Sequence, residues 1–226
     1  HSFINAHDGG VEIAGVGNIQ YTGLEPIVDL VVTPVRVFNY TGAAETIVVS
    51  DGTASDGMTM IASSLGESVY FLNPDSMTID VVTGAASGAD IINVNSVDAD
   101  FRASLSLIAD GGDTINVGAT LTLGSATSTG DFSVSDANLV TLSGGISTDQ
   151  GPNAGSISIL APVQLFGNVA LDTDGGGTDG NVTFDDAFNA DAISNERQLT
   201  IAAGGGMVSF ADVGLSTRLN AVNVSG

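Results

Sequence analysis

The sequence predicts an all-β chain wound as a solenoid, and three observations carry that prediction. Short runs of alternating apolar residues recur almost from end to end. The runs echo one another at intervals of roughly 20 to 26 residues, the scale of one solenoid coil. Thirty glycines, with abundant Thr, Ser, Asn and Asp, punctuate them with turns.

The alternation is clearest in Thr46–Ser50, Met77–Val82, Asp90–Val94, Ser104–Ile108 and Asp113–Val117. It continues in Thr120–Leu123, Leu139–Leu142, Ser156–Leu160, Asn168–Leu171, Asn181–Phe184, Leu199–Ala202, Met207–Phe210 and Leu219–Val224. Period-two alternation turns one face of each run inward and the other outward. The echoes say more than the propensities do: DIINV at Asp90 and DTINV at Asp113 are near copies, as are NVTF at Asn181 and MVSF at Met207. A unit this small cannot bury its apolar face alone, so neighbouring units must stack into one continuous core. Residues 1–74 are less regular and hold Pro26, Pro34 and Pro74 and all three tyrosines. They are expected to form an irregular N-terminal β-rich section or cap, with residues 75–226 as solenoid coils continuous with it, since no Pro-rich or Gly/Ser-rich linker intervenes.

Composition fits stacked thin layers. Hydrophobic residues make up 43% of the 226, yet aromatics are only 5% and Trp is absent, so the core is expected to consist of Val, Ile, Leu and Ala. The 26 acidic residues face four basic ones, all Arg, for a formal charge of -22. Nucleic acid and anionic lipid are bound mainly by clustered Lys and Arg, so neither is an expected partner. Cysteine is absent, which excludes disulfides and thiolate metal sites. No apolar run reaches the roughly 20 residues of a membrane helix, so no membrane insertion is expected. The chain opens on His1 with no charged or apolar leader after it, which reads as a processed or excised piece.

The stretches NIQYTGLEPI from Asn18, IASSLGESVYFLNPDSMTIDVVTGA from Ile61 and GGDTINVGATLTLGS from Gly111 resemble repeat domains of giant bacterial surface or secreted proteins. In those proteins filamentous-haemagglutinin-like repeats sit beside degenerate calcium-binding glycine–aspartate (RTX-like) repeats. From Gly180 onward the sequence is similar to their VTF…LTI…VTF repeat, and this resemblance implies a parallel β-helix and an extracellular or cell-surface location. The calcium nonapeptide G-G-x-G-x-D-x-U-x is present only in worn form, around Gly84 to Asp90 and Asp110 to Asp113. The tandem loops of a calcium ladder are missing.

Acidic loops are the candidates for chemistry. Asp172, Asp174 and Asp179 flank a Gly-Gly-Gly turn. Calcium takes about six to eight oxygen ligands, so these three carboxylates with nearby carbonyls form a candidate calcium loop. An exposed Asp-Gly turn between coils is the simpler reading of the same residues. Asp110 with Asp113, Asp51 with Asp56, and the Asp185/Asp186 pair read as surface turns. Sequons at Asn39, Asn181 and Asn223 follow from a composition rich in Asn, Thr and Ser, and Thr120 and Thr122 form an isolated Thr-x-Thr.

Some β-helices are polysaccharide lyases or hydrolases, which makes an enzyme a competing expectation. A lyase for acidic polysaccharide needs clustered cations, and a glycoside hydrolase needs two carboxylates at fixed separation in a groove that holds the sugar. Four scattered arginines and no Trp serve neither, and His1 and His7 lack a nucleophile motif. The expectation is a non-enzymatic structural module of an extracellular filament, sheath or surface layer, acting by coil stacking and self-association. The alternative is an adhesin or glycan-binding segment of a large cell-surface protein, and a carbohydrate-active β-helix is the remote one. No cofactor beyond calcium is expected.

Overall fold

A run of three to five residues gains its backbone partners only from other runs, so the repeats fix the architecture through their pairing. The computed structural model describes residues 1–5, 8–23, 26–40, 44–52, 56–82 and 88–226. Its described residues are almost entirely strand, and they wind into a parallel β-solenoid.

The chain begins with an antiparallel meander of β1 (Ser2–Asn5), β2 (Asp8–Ile13) and β3 (Gly17–Thr22). Next come β4 (Ile27–Asp29) and β5 (Val35–Tyr40), the latter parallel to β1. β6 (Thr46–Asp51) leads into a second antiparallel set with β7 (Met58–Ser63) and β8 (Val69–Leu72), and β4 adds to β8 in parallel. Two antiparallel sets therefore close this end of the molecule. Residue 75 falls just after β8, while upstream of it β5 and β6 already lie in the parallel ladders that the later coils extend.

The next turn brings β9 (Ser76–Asp80) and β10 (Ile91–Val94). Five coils follow, the first three with three strands each: β11 (Ser104–Ile108), β12 (Thr114–Val117) and β13 (Leu121–Thr122), then β14 (Phe132–Val134), β15 (Leu139–Leu142) and β16 (Ile146–Ser147). The third coil has β17 (Ile157–Ile159), β18 (Val163–Leu165) and β19 (Val169–Asp172). The fourth has the long β20 (Val182–Ala190), which bends across two sides, and β21 (Gln198–Ala202). The fifth has β22 (Val208–Val213) and β23 (Ala221–Ser225). The first side stacks β5, β9, β11, β14, β17, β20 and β22 in parallel. The second stacks β6, β10, β12, β15, β18 and the far half of β20, and the third runs from β13 to β23.

The echoes in the sequence are neighbours in space. The Ile91 and Thr114 strands pair residue for residue, and Val182 lies against Val208. Alternation becomes columns. On the first side Phe38, Ile79, Leu107, Val134, Ile159, Phe184 and Phe210 succeed one another inward, coil by coil. The core departs from the expected aliphatic composition along its length, with Phe38, Tyr40, Phe71, Phe101 and Phe132 buried in it and, at the last two coils, the Phe184, Phe188 and Phe210 rings packed at 4.6 to 5.8 Å. Edge-to-face and offset pairs of this kind fill a wider layer without Trp. Phe132–Val134 and Val163–Leu165 have only three residues each, too few for alternation in the sequence to establish a period.

Glycines set the coil spacing at one corner. Gly130, Gly155, Gly180 and Gly206 stand above one another, and a Cβ on Gly180 would lie 1.9 Å from the Gly155 carbonyl oxygen. The constraint is close approach of successive backbones, which only a residue without a side chain allows. Among the described residues the single helix is the 3-10 turn Ile193–Asn195, and no helix is long and apolar enough to cross a membrane.

Candidate functional site

The acidic turn after β19 is built from its own backbone. Asp172 ends the strand, and its Oδ1 accepts the Asp174 N–H at 3.1 Å. Asp179 accepts the Gly175 N–H at 3.0 Å and, one coil on, the Gly205 N–H at 2.6 Å. Thr173, fully buried, donates its hydroxyl to the Gly180 carbonyl at 2.8 Å and closes the turn. Thr148 does the same for Gly155 one coil earlier, at 2.6 Å. Asp174 and Asp179 converge on Gly204, which has φ of +52° and would bring a Cβ to 2.7 Å from both carboxyl groups. Among the described residues, no three His, Cys, Asp or Glu side chains form a group that could hold a metal ion. The worn calcium repeat at Gly84 and the side chain of His7 lie outside the described residues.

A second acidic set runs inside the solenoid. Glu45, Asp90 and Asp113 precede β6, β10 and β12, and all three are buried. The Glu45 N–H donates to Asp90 Oδ1 at 2.7 Å, and the Asp90 N–H donates to Asp113 Oδ1 at 2.8 Å. Asp113 Oδ2 accepts the Asp110 N–H at 2.8 Å, while the Ser63 hydroxyl donates to Glu45. Asp90 and Asp113 thus each cap the corner of the preceding coil, while the Glu45 carboxylate takes the Ser63 hydroxyl. This corrects the expectation of a plain surface turn at Asp113: its carboxylate faces inward, because corner N–H groups with no ladder partner need an acceptor.

Burial raises the pKa of Glu45 above the usual carboxylate value, opposed by the Ser63 hydrogen bond and reinforced by Asp90. Burial also raises that of Asp90, opposed by the Glu45 N–H and reinforced by Asp113 and Asp110. Both groups bind protons more readily folded than unfolded, so stability increases as pH falls through their raised values. Asp191 runs the other way. Hydrogen bonds from Arg197 at 2.8 and 2.9 Å, chief among its partners, hold its carboxyl well below the usual range. Its contribution is present above the unfolded carboxylate pKa of about 4 and is lost in stronger acid. The melting temperature is therefore expected to climb as pH falls from neutral through the raised carboxylates, and to fall once the pH drops below the unfolded carboxylate value of about 4. Relief of self-repulsion adds to the climb. The Glu45→Gln/Asp90→Asn double variant should show a shallower rise, and an unaltered slope would rule out the buried acids as its source.

Outside, the register aligns polar residues that look isolated in the sequence. Thr78, Ser106, Ser133, Ser158, Thr183 and Ser209 form one hydroxyl column along the first side. On the second side, the Asn116 amide donates to Asn93 Oδ1 at 2.9 Å and the Thr141 hydroxyl donates to Asn116 Oδ1 at 2.6 Å. Sequence reasoning missed both columns. The spacing between their members could have revealed them only once the coil length was known.

At the opposite end, a groove of about 600 Å³ lies between β2 and the turn joining β4 to β5, lined by residues including Val11, Ile13, Val31 and Val35. Beneath it, Arg36 donates to Asp29 at 2.5 Å and to the Val31 and Leu72 carbonyls at 2.5 and 3.2 Å. His1 also contacts Asp29 at 2.9 Å, and its ring stacks on Phe38. Asp29 is thus occupied in tying β4 to β5. No protein-family model, curated protein or solved structure matches the chain. The molecule is a β-solenoid, a repetitive architecture of the kind that serves a structural, self-stacking module.

Proposed function

We propose that this chain is a structural module of an extracellular filament, sheath or surface layer, acting by coil stacking and self-association, and that it is not an enzyme. The observation that carries the reading is the continuous pairing of three parallel ladders, in which the edge of one coil is the template for the next. The resemblance to repeats of giant bacterial surface proteins supports the same location. A net charge of -22 keeps such a surface from pairing indiscriminately. The non-enzymatic reading draws support from the groove beside β2, where Asp29 is bound to Arg36.

Light scattering with size exclusion, followed by negative-stain imaging, tests the proposal. Concentration-dependent assemblies with elongated profiles are expected, and a strictly monomeric protein at every concentration would defeat it. An adhesin or glycan-binding segment is the second reading, favoured by the amide and hydroxyl column of Asn93, Asn116 and Thr141. Saturable glycan binding lost on Asn116→Ala substitution would select it. Because Asp172, Asp174 and Asp179 do not converge as a three-carboxylate group, excess calcium is expected to leave the thermal transition unchanged. A rise that chelator reverses, the mass-action signature of an ion bound only by the fold, would restore the calcium loop.

A further inference from the structure

The three sides of the solenoid differ in charge. Asp80 and Asp185 stand outward on the first side, and Asp172 on the third. On the second side, from β6 to β18, the outward residues are all uncharged, in a chain of net charge -22. Each of these five strands is paired on both edges, so the face is lateral and does not depend on either end of the rod. Its middle column is Val48, Asn93, Asn116, Thr141 and Gln164. Ile91, Thr114 and Leu139 form a bulky row to one side of it, with Ile91 39% exposed. To the other side Asn95, Gly118 and Ser143 continue the ladder through their N–H groups, and Gly118 and Ser143 leave that row low.

We infer that this face packs against the same face of a second copy, the two rods lying side by side about a two-fold axis parallel to their length. This rests on the self-association reading above and names its surface and partner. Charge permits a second copy here and opposes one on the other two sides, because two such faces meet with no outward carboxylate between them. The polar groups also suit a dry contact. The Asn116 amide already donates to Asn93 and the Thr141 hydroxyl to Asn116, at 2.9 and 2.6 Å, so covering them strands neither bond. A sugar would have to compete for the same groups. An axis along the rods keeps the coil levels matched and reverses the strand direction, so the bulky row of one copy meets the low row of its partner. Leu139 then lies opposite the partner's Ser143 and Thr114 opposite the partner's Gly118, large against small across two facing sheets. The middle column meets itself. Four strand spacings of about 4.8 Å and four residue steps of about 3.4 Å give a face of roughly 20 by 14 Å, well below the area of about 800 Å² per partner in a standard interface. The pair is therefore weak and forms only as concentration rises.

Thr141 lies in the column that meets itself, so charge placed at this one position reads the arrangement. In sedimentation equilibrium the unmodified protein should move toward twice its 22.5 kDa mass as concentration rises. Thr141→Asp and Thr141→Arg should each weaken that association by roughly tenfold or more, since each sets like charges against one another across the contact. An equimolar mixture of the two should restore it, because Asp then meets Arg. Ser133→Asp adds the same charge on the outer face of the first side and should leave association unchanged. Thermal melts verify that each variant folds. Association untouched by both Thr141 variants overturns the inference and leaves the structural reading standing through another surface. A mixture that stays dissociated also overturns it, as does an equal loss with Ser133→Asp. A protein monomeric throughout overturns both readings, and saturable glycan binding lost on Thr141→Asp would then select the adhesin.

Discussion

Replacing Asp113 with alanine is expected to destabilise the protein by about 3 to 5 kcal/mol, since hydrogen bonds to a charged acceptor contribute about 1.5 to 3 kcal/mol each. Asp113 is fully buried, and its two oxygens accept the N–H groups of Asp90 and Asp110, both at 2.8 Å. Alanine strands the buried Asp90 donor and takes the acceptor from the half-buried Asp110 N–H. Asparagine keeps one acceptor and turns its amide donor toward the other N–H, so Asp113→Asn should lose roughly half as much. Urea denaturation of the two variants gives the comparison. Losses below about 1 kcal/mol for alanine would mean that the corner N–H groups find other partners.

Gly180→Ala is the second large effect, expected to cost about 3 kcal/mol, the upper range for overpacking a tight interior. The new methyl carbon would sit 1.9 Å from the Gly155 carbonyl oxygen and 2.6 Å from its carbon. Both atoms are backbone, so relief requires two coils to separate at that corner, loosening the parallel ladder between Ile157–Ile159 and Val182–Phe184. Gly176 supplies an internal control: a Cβ there meets nothing within 4 Å. Gly176→Ala should therefore change stability by no more than about 0.5 kcal/mol. Thermal melts of the pair decide the matter, and equal losses would contradict close coil approach at Gly180.

These two residues also mark where sequence reading stops. The fold class was legible because alternation and echo are local: DIINV and DTINV can be seen as copies before anything is known of their pairing. The parallel stacking followed once each copy was taken as one coil. Asp113 was not legible, since its Gly-Gly neighbourhood is also that of an exposed turn, and only three-dimensional pairing shows that its carboxylate caps Asp90 on the preceding coil. The corner glycines were hidden for the same reason. Gly130, Gly155 and Gly180 recur regularly, but many other glycines surround them. The hydroxyl column through Ser106, Ser133 and Ser158 appears only when variable turns between strands are discounted. The acidic turn at Asp172 to Asp179 was conspicuous, yet its sequence does not disclose that Asp179 reaches forward to Gly205.

Pairs of spin labels along one outer column test the in-register stacking most directly. Thr78, Ser106, Ser133, Ser158, Thr183 and Ser209 occupy successive rungs of one parallel ladder. With no native cysteine, labels can be placed at chosen pairs. At about 4.8 Å per rung, backbone separations should be about 19 Å for 78/183 and about 24 Å for 78/209. Dipolar spectroscopy should find the second distance longer by one rung, although 26 residues separate the two distal sites. Distances that fail to grow from 183 to 209, or that exceed the ladder values by tens of ångströms, would contradict a continuous stack of coils.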